Sequence, residues 1–264
     1  MASTLTKLVK ARDLPITMRM ERWLSLPDYQ RPFSPEALEH AQKALSGQIG
    51  GKRSRKTPYR SSGTGTCSRK RHFQAEDVVK REMTDSHLHN IFATGDYLHL
   101  KWQMMGLTEG WLTAAEIPVQ TEDGLLSGTM DGLIWDDSIL EFKSINDNGF
   151  KNVVAFGAKE LHLKQTHAYM LCADKDKASI VYENKNDQDW IELRVYRDEK
   201  IIELIENEID ELNDQYNNEE LKEPLSDCQM KTGSIYRDCP FRDVCLKINK
   251  WSDINDFKSP QVSA

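Results

Sequence analysis

The chain has 264 residues, 39% of them apolar and 29% charged, with a formal net charge of −7. No segment approaches the ~18 consecutive apolar residues of a membrane span, which excludes a transmembrane helix. Met1–Leu24 scatters Lys and Arg without an apolar run, so no signal peptide is expected and a cytoplasmic location is the default.

Residues 1–33 give no clear pattern. Ser34-Pro35-Glu36 opens a helix, with Ser as N-cap and Pro in the first turn, running to about Ser46. Residues 47–66 read as a Gly- and Ser-rich loop. Between Lys52 and His72 lie Lys52, Arg53, Arg55, Lys56, Arg60, Arg69, Lys70 and Arg71, with no acid among them. The remaining chain is then near −15, so the basic stripe is an electrostatic footprint for phosphates on an otherwise acidic protein. A solvated, flexible arm is the competing reading.

Two helices follow, about Arg69–Met83 and Thr94–Gln103, the second carrying His99. Ala114–Thr121 reads as a strand. Residues 128–143 then read as a hairpin, with strand formers on both sides of the Asp136-Asp137-Ser138 turn. Alternation sets Glu141 and Lys143 on one face of the second strand and Leu140 and Phe142 on the other. A three-residue loop pairs Trp135 with Ile139, Leu133 with Glu141 and Asp131 with Lys143. It thereby brings Asp131, Glu141 and Lys143 to one face, whereas a two-residue loop would reverse Asp131. Two carboxylates there suit a hard divalent cation, and a neighbouring lysine adds a positive donor for a phosphate. An exposed hairpin with a cross-strand salt bridge is the plain alternative.

Val153–Ala173 reads as one long helix. Within it, Gln165 and Tyr169 stand four apart and share a face. Lys177–Asn184 and Trp190–Tyr196 read as strands, and Asp198–Tyr216 as an acidic amphipathic helix. The layout is α/β with a mixed sheet. Of the five cysteines, Cys172 sits in an apolar helical stretch and reads as a buried thiol. Cys67, Cys228, Cys239 and Cys245 form two clusters whose four thiolates suit an iron–sulfur cluster or a structural zinc. Boundaries at 1–66 (a helical and basic extension), 67–223 (a core) and 224–264 (a cysteine-containing tail) follow.

The ordered set Gly95-x-x-x-His99, Gly128-x-x-Asp131-Gly132, Glu141-Phe142-Lys143 and Gln165-x-x-x-Tyr169 resembles the RecB-like branch of the PD-(D/E)XK nucleases. One cysteine before that set and three after it resemble the iron–sulfur subgroup, which includes the AddB nuclease domain and CRISPR-associated RecB-like exonucleases. The likeness spans roughly Cys67 to Cys245. Ten residues separate Cys228 from Cys239, where the family has a close pair, while the spacing from Cys239 to Cys245 agrees.

The resemblance implies a restriction-endonuclease-like α/β core, with a mixed central sheet flanked by helices and an arm and tail stapled by a 4Fe-4S cluster. Zinc is the less favoured occupant. It implies a metal-dependent DNA nuclease, foremost an exonuclease on single strands or ends. His99, Asp131, Glu141 and the Phe142 carbonyl would ligate Mg2+ or Mn2+. Lys143 would position the attacking water, with Gln165 and Tyr169 orienting it or the scissile phosphate. Cys67, Cys228, Cys239 and Cys245 would hold the cluster, and the basic stripe would guide DNA. Glu116, on the strand before the hairpin, is a candidate further acid. Recombination or replication proteins are the expected partners. An endonuclease or flap nuclease with the same site, a non-catalytic DNA-binding recombination partner, and a zinc-stapled protein with an accidental hairpin are the alternatives.

Overall fold

The computed structural model of the chain describes residues 15–47, 58–81 and 86–259. At its centre is a six-stranded mixed sheet, with strands β1 (Tyr59–Arg60), β2 (Leu112–Gln120), β3 (Leu126–Ile134), β4 (Ile139–Ile145), β5 (Lys177–Asn184) and β6 (Trp190–Tyr196). Its order is β1-β3-β4-β5-β6, with β2 also pairing β3. The β1–β3 and β4–β5 pairs are parallel and the others antiparallel. A parallel pair needs a long crossover. Helices α5 (Asp147–Phe156) and α6 (Glu160–Ala173) supply it between β4 and β5.

The β4 strand shows why the sheet is covered on both faces. Ile139 joins a cluster with Tyr169 and Met170 of α6. Leu140 and Phe142 join another with Trp102 and Met105 of α4 (Ser86–Glu109) and with Ile16, Met20 and Trp23 of α1 (Pro15–Ser25). The apolar half of the alternation expected for β4 therefore holds. Helix α1 was not anticipated, although its buried residues fall at helical spacing 16, 20 and 23. Both α1 and β1 lie within residues 1–66, so contacts of the core cross the boundary drawn at residue 66.

Three elements differ from expectation. The long helix over 153–173 is two helices, because Gly157 at φ 87° closes α5 in a conformation open to glycine. Helix α3 (Ser68–Ala75) ends well before residue 83, and Val78 instead bridges to Lys258 of the tail. The hairpin register is offset by two residues, pairing Leu133 with Ile139 and Gly132 with Leu140. Ser138 O accepts from Ile134 N at 2.8 Å, closing a three-residue loop over 135–137, one position earlier than 136–138, in which Asp137 takes a left-handed φ of 64°. An offset of two keeps the parity, so the extended register sets Asp131 level with Glu141.

Helix α2 (Pro35–Leu45) is capped by Ser34, whose hydroxyl accepts from Ala37 N. Helix α7 (Glu199–Asn217) is capped by Asp198 and buries Ile202, Ile205, Ile209 and Leu212. Among its described residues the tail forms short α-helices α8 (Ser226–Gln229), α9 (Gly233–Arg237) and α10 (Arg242–Cys245), then a 3-10 helix, Trp251–Phe257. Among the described residues, no helix is long and apolar enough to cross a membrane.

Candidate active site

The β3–β4 ladder stops at Gly132 and Leu140. Beyond that point the Asp131 carboxylate replaces a backbone partner: its Oδ2 accepts from Phe142 N at 2.6 Å. The strands part around this bond, and helices converge on the fork from both faces of the sheet. From α4, His99 Nδ1 lies 3.5 Å from Asp131 Oδ1, and its ring stands edge-on to Phe142 at 4.8 Å. From α6, Gln165 Oε1 accepts from Lys143 Nζ at 3.2 Å, and Gln165 Nε2 donates to Tyr169 Oη at 2.9 Å. Lys143 Nζ also pairs with Glu141 Oε1. The structure thus joins His99, Asp131, Glu141, Phe142, Lys143, Gln165 and Tyr169 in one connected set.

The electrostatics follow from that packing. Glu141 is 1% exposed, and burial pushes its carboxyl up to about 7 despite Lys143. Burial opposes the charge on Lys143, but Glu141 and Asp131 outweigh it and hold the ammonium above its ordinary value. Asp131 and His99 act on each other in the same way. Burial disfavours both charges, yet His99 takes Asp131 down and Asp131 takes His99 up. Each pair, Asp131 with His99 and Glu141 with Lys143, is thus held together across a buried site by the opposite charge of its partner.

Two observations bear on whether the site suits a divalent cation. Glu141 Oε2 is buried and has no hydrogen-bond partner. A buried carboxylate oxygen left unsatisfied next to a second carboxylate is costly for the bare protein and is the donor a hard cation takes. Against this, no three His, Cys, Asp or Glu side chains among the described residues stand at the spacing of a bound ion. Glu141 is instead turned onto Lys143, and Asp131 onto the Phe142 amide. The donor chemistry fits the cation, with Glu141 Oε1 held by Lys143 and Oε2 left open.

Neighbouring residues that were not anticipated complete the wall. Gln103 lies four residues after His99, one helical turn along the same face, and that spacing was the available signal. Its Nε2 donates to Glu116 Oε1 at 2.9 Å and to the Asp131 carbonyl at 3.0 Å. Its Oε1 is bound by His40 Nε2 at 2.9 Å. His162 of α6 bonds Tyr182 Oη through Nδ1 at 2.8 Å, and burial with Lys143 nearby presses it down to about 3.

The basic stripe divides. Lys52, Arg53, Arg55 and Lys56 lie outside the described residues. Arg60 reaches Ser127 Oγ at 3.4 Å, and Lys70 is half-buried. Arg69 and Arg71 are not surface cations, which corrects the expectation that they contact DNA. Arg69 donates to the carbonyls of Lys222, Cys245 and Ile248 at 2.7, 2.7 and 2.5 Å, lies 3.4 Å from Cys245 Sγ and stacks on Phe73. Arg71 pairs with Glu208 of α7 and lies over the Tyr59 ring. Both guanidiniums are turned inward, pinning α3 to the tail and to α7.

The cysteines are free thiols. Burial raises Cys228, with Cys245, Cys67 and Cys239 adding to the shift. Burial likewise raises Cys239, and Cys245 and Cys67 contribute there too. The four thiols therefore lie within electrostatic reach of one another, although not at ligand spacing. Cys172 stands apart on α6, its thiol pushed up to about 11 by burial.

No protein-family model matches the sequence, and no curated protein matches it. Among solved structures, the chain is similar to LHK-Exo in complex with dAMP, at 18% identity and a TM-score of 0.49 over 62% of this chain and 90% of that one. It is similar to the alkaline exonuclease LHK-Exo from Laribacter hongkongensis at 15% identity and a TM-score of 0.45, over 67% and 93%. A phage-related exonuclease from Haemophilus somnus 129PT follows at 16% and 0.32, over 43% and 64%. Similarity at that level does not assign an activity to this chain.

Proposed function

We propose that the chain is a divalent-metal-dependent DNA nuclease whose site is the fork between β3 and β4. The observation that carries this reading is Glu141 Oε2, a buried and unpartnered carboxylate oxygen beside Asp131, with Lys143 tied to Gln165. His99, Asp131, Glu141 and the Phe142 carbonyl are the donors for Mg2+ or Mn2+. Bound there, the cation would acidify a water and neutralise charge on the scissile phosphate. The protein's own part is positional. Asp131 is fixed by the Phe142 amide and His99. Lys143 offers an ammonium to the attacking water or the phosphate, and Gln165, held by Tyr169, sets where that ammonium points. Lys52, Arg53, Arg55, Lys56, Arg60 and Lys70 are the proposed DNA-guiding cations. DNA with a free end is the proposed substrate, and recombination or replication proteins the proposed partners.

Cys67, Cys228, Cys239 and Cys245 are proposed as one thiolate set for a 4Fe-4S cluster, on their order in the sequence, one before the core and three after it. A cluster there would close a loop of about 160 residues and restrict the unfolded chain. Brown colour and absorbance near about 400 nm after anaerobic purification are expected. Colourless protein carrying stoichiometric zinc would assign the thiols to zinc.

The nuclease reading is tested with Mn2+ on end-labelled linear single-stranded DNA and on a closed single-stranded circle. Degradation of the linear strand alone is the exonuclease result, and cutting of the circle assigns an endonuclease. DNA binding with no cleavage of either would leave a binding module.

A further inference from the structure

Glu116 is a half-buried acid on β2 whose position the fork alone does not explain. The pairs Ala115↔Gly132 and Ile117↔Met130 set it level with Asp131 on the neighbouring strand. At φ 54° it is a non-glycine residue in left-handed conformation inside a strand. Such a backbone costs about 1–3 kcal/mol and persists where surrounding contacts impose it. Those contacts are visible. Gln103, 4% exposed, gives its amide to Glu116 Oε1 and to the Asp131 carbonyl together, and His40 of α2 holds the other end of that amide. Two helices thus fix one side-chain amide, and that amide fixes Glu116 against Asp131.

The charges around Glu116 differ from those around its neighbours. Asp131 has His99 and the Phe142 amide, and Glu141 has Lys143. Glu116 receives a hydrogen bond from a neutral amide. Burial raises its carboxyl, and Asp131 raises it further. Its charged neighbours are Asp131, which raises it, and His99 and His40, which lower it, so it stands on the His99 side of Asp131. The unpartnered Glu141 Oε2 independently marks the place as short of a cation.

Building on the cation site proposed above, we infer that Glu116 is a third carboxylate of that site, set in place by the His40–Gln103 chain. Its oxygen ligates the cation directly or accepts a hydrogen bond from one of the cation's bound waters, and Gln103 is a positioning residue that holds it there. Partners behind a metal's immediate ligands commonly change metal affinity by about 10–100-fold.

The test measures cation binding rather than cleavage. Mn2+ is titrated by calorimetry, without DNA, into the intact protein, Glu116→Gln, Gln103→Leu and a control, Glu122→Gln, which removes a nearby acid from the β2–β3 connection. Each variant is also melted with and without Mn2+. Glu116→Gln is expected to weaken Mn2+ binding by about tenfold or more and to shrink the Mn2+-induced rise in Tm, with the metal-free Tm held or raised. Gln103→Leu is expected to weaken binding in the same direction, and Glu122→Gln to bind as wild type. A Glu116→Gln protein that binds Mn2+ as tightly as wild type, with the same Tm rise, overturns the assignment of Glu116 alone. A wild type that binds no Mn2+ overturns the cation site itself, and with it the role of Glu116.

Discussion

Arg69 separates a structural from a nucleic-acid role most cleanly. It is 2% exposed and supplies donors to three backbone carbonyls contributed by residues more than 150 positions later in the chain. Replacing it with Met keeps the stem against Phe73 and removes every donor. Each buried acceptor left unsatisfied costs about 1–3 kcal/mol. Removing a desolvated cation offsets part of that sum, so the net loss expected is about 3–5 kcal/mol. In a protein of this size that lowers Tm by roughly 10 °C. The assay is urea unfolding of wild type and Arg69→Met, with electrophoretic DNA binding titrated against salt. The salt slope of binding should be unchanged, because a cation that touches no phosphate releases no counterion. A stability change under about 1 kcal/mol, with a salt slope reduced by about one, would refute the structural role and restore Arg69 to the DNA surface.

Other variants follow from the same geometry. Burial raises Glu141, so its contribution to the stability of the metal-free protein is full below about 4.5 and is lost as pH rises through about 7. Tm in EDTA should therefore fall across that window, by up to about 3 kcal/mol equivalent, and Glu141→Gln should flatten the fall. An equal fall in both proteins would assign it to another group. Gly128→Ala would place a Cβ 2.4 Å from Tyr169 Cε1 and 2.9 Å from Ser61 Oγ. It should cost about 1–3 kcal/mol and disturb the Tyr169–Gln165–Lys143 chain, so single-turnover cleavage should slow below the unfolding range. Gly157→Ala meets no atom within 4 Å, and its cost is the backbone alone, about 1–3 kcal/mol by thermal melting.

How much was legible in the sequence depended on whether the deciding contact was local. Strands β5 and β6 run over the residues expected, because buried strands rich in Ile, Val and Tyr carry their own signal. The hairpin kept the parity that brings Asp131 and Glu141 level, but its register moved by two, because the three-residue loop closes one position earlier, over 135–137, with Asp137 left-handed. The break at Gly157 was hidden because one glycine between apolar residues is compatible with a continuous helix. Arg69 and Arg71 have the composition of a solvated stripe. Their burial is decided by carbonyls of the tail and by Glu208, which no local window contains. Gln103 and His40 are polar residues on otherwise ordinary helices, and only the fold shows that His40 holds Gln103 and that Gln103 reaches Glu116 and Asp131.

The central claim is that Asp131, Glu141 and Lys143 together cleave DNA. Its most direct test is single-turnover cleavage of 5′- and 3′-end-labelled single-stranded DNA in Mn2+ by wild type and Lys143→Ala, with DNA affinity measured in parallel on both. The account predicts cleavage by wild type, cleavage lost by at least about a hundredfold in Lys143→Ala, and similar DNA affinity for the two. Cleavage by Lys143→Ala at the wild-type rate would contradict it and place the chemistry elsewhere in the molecule.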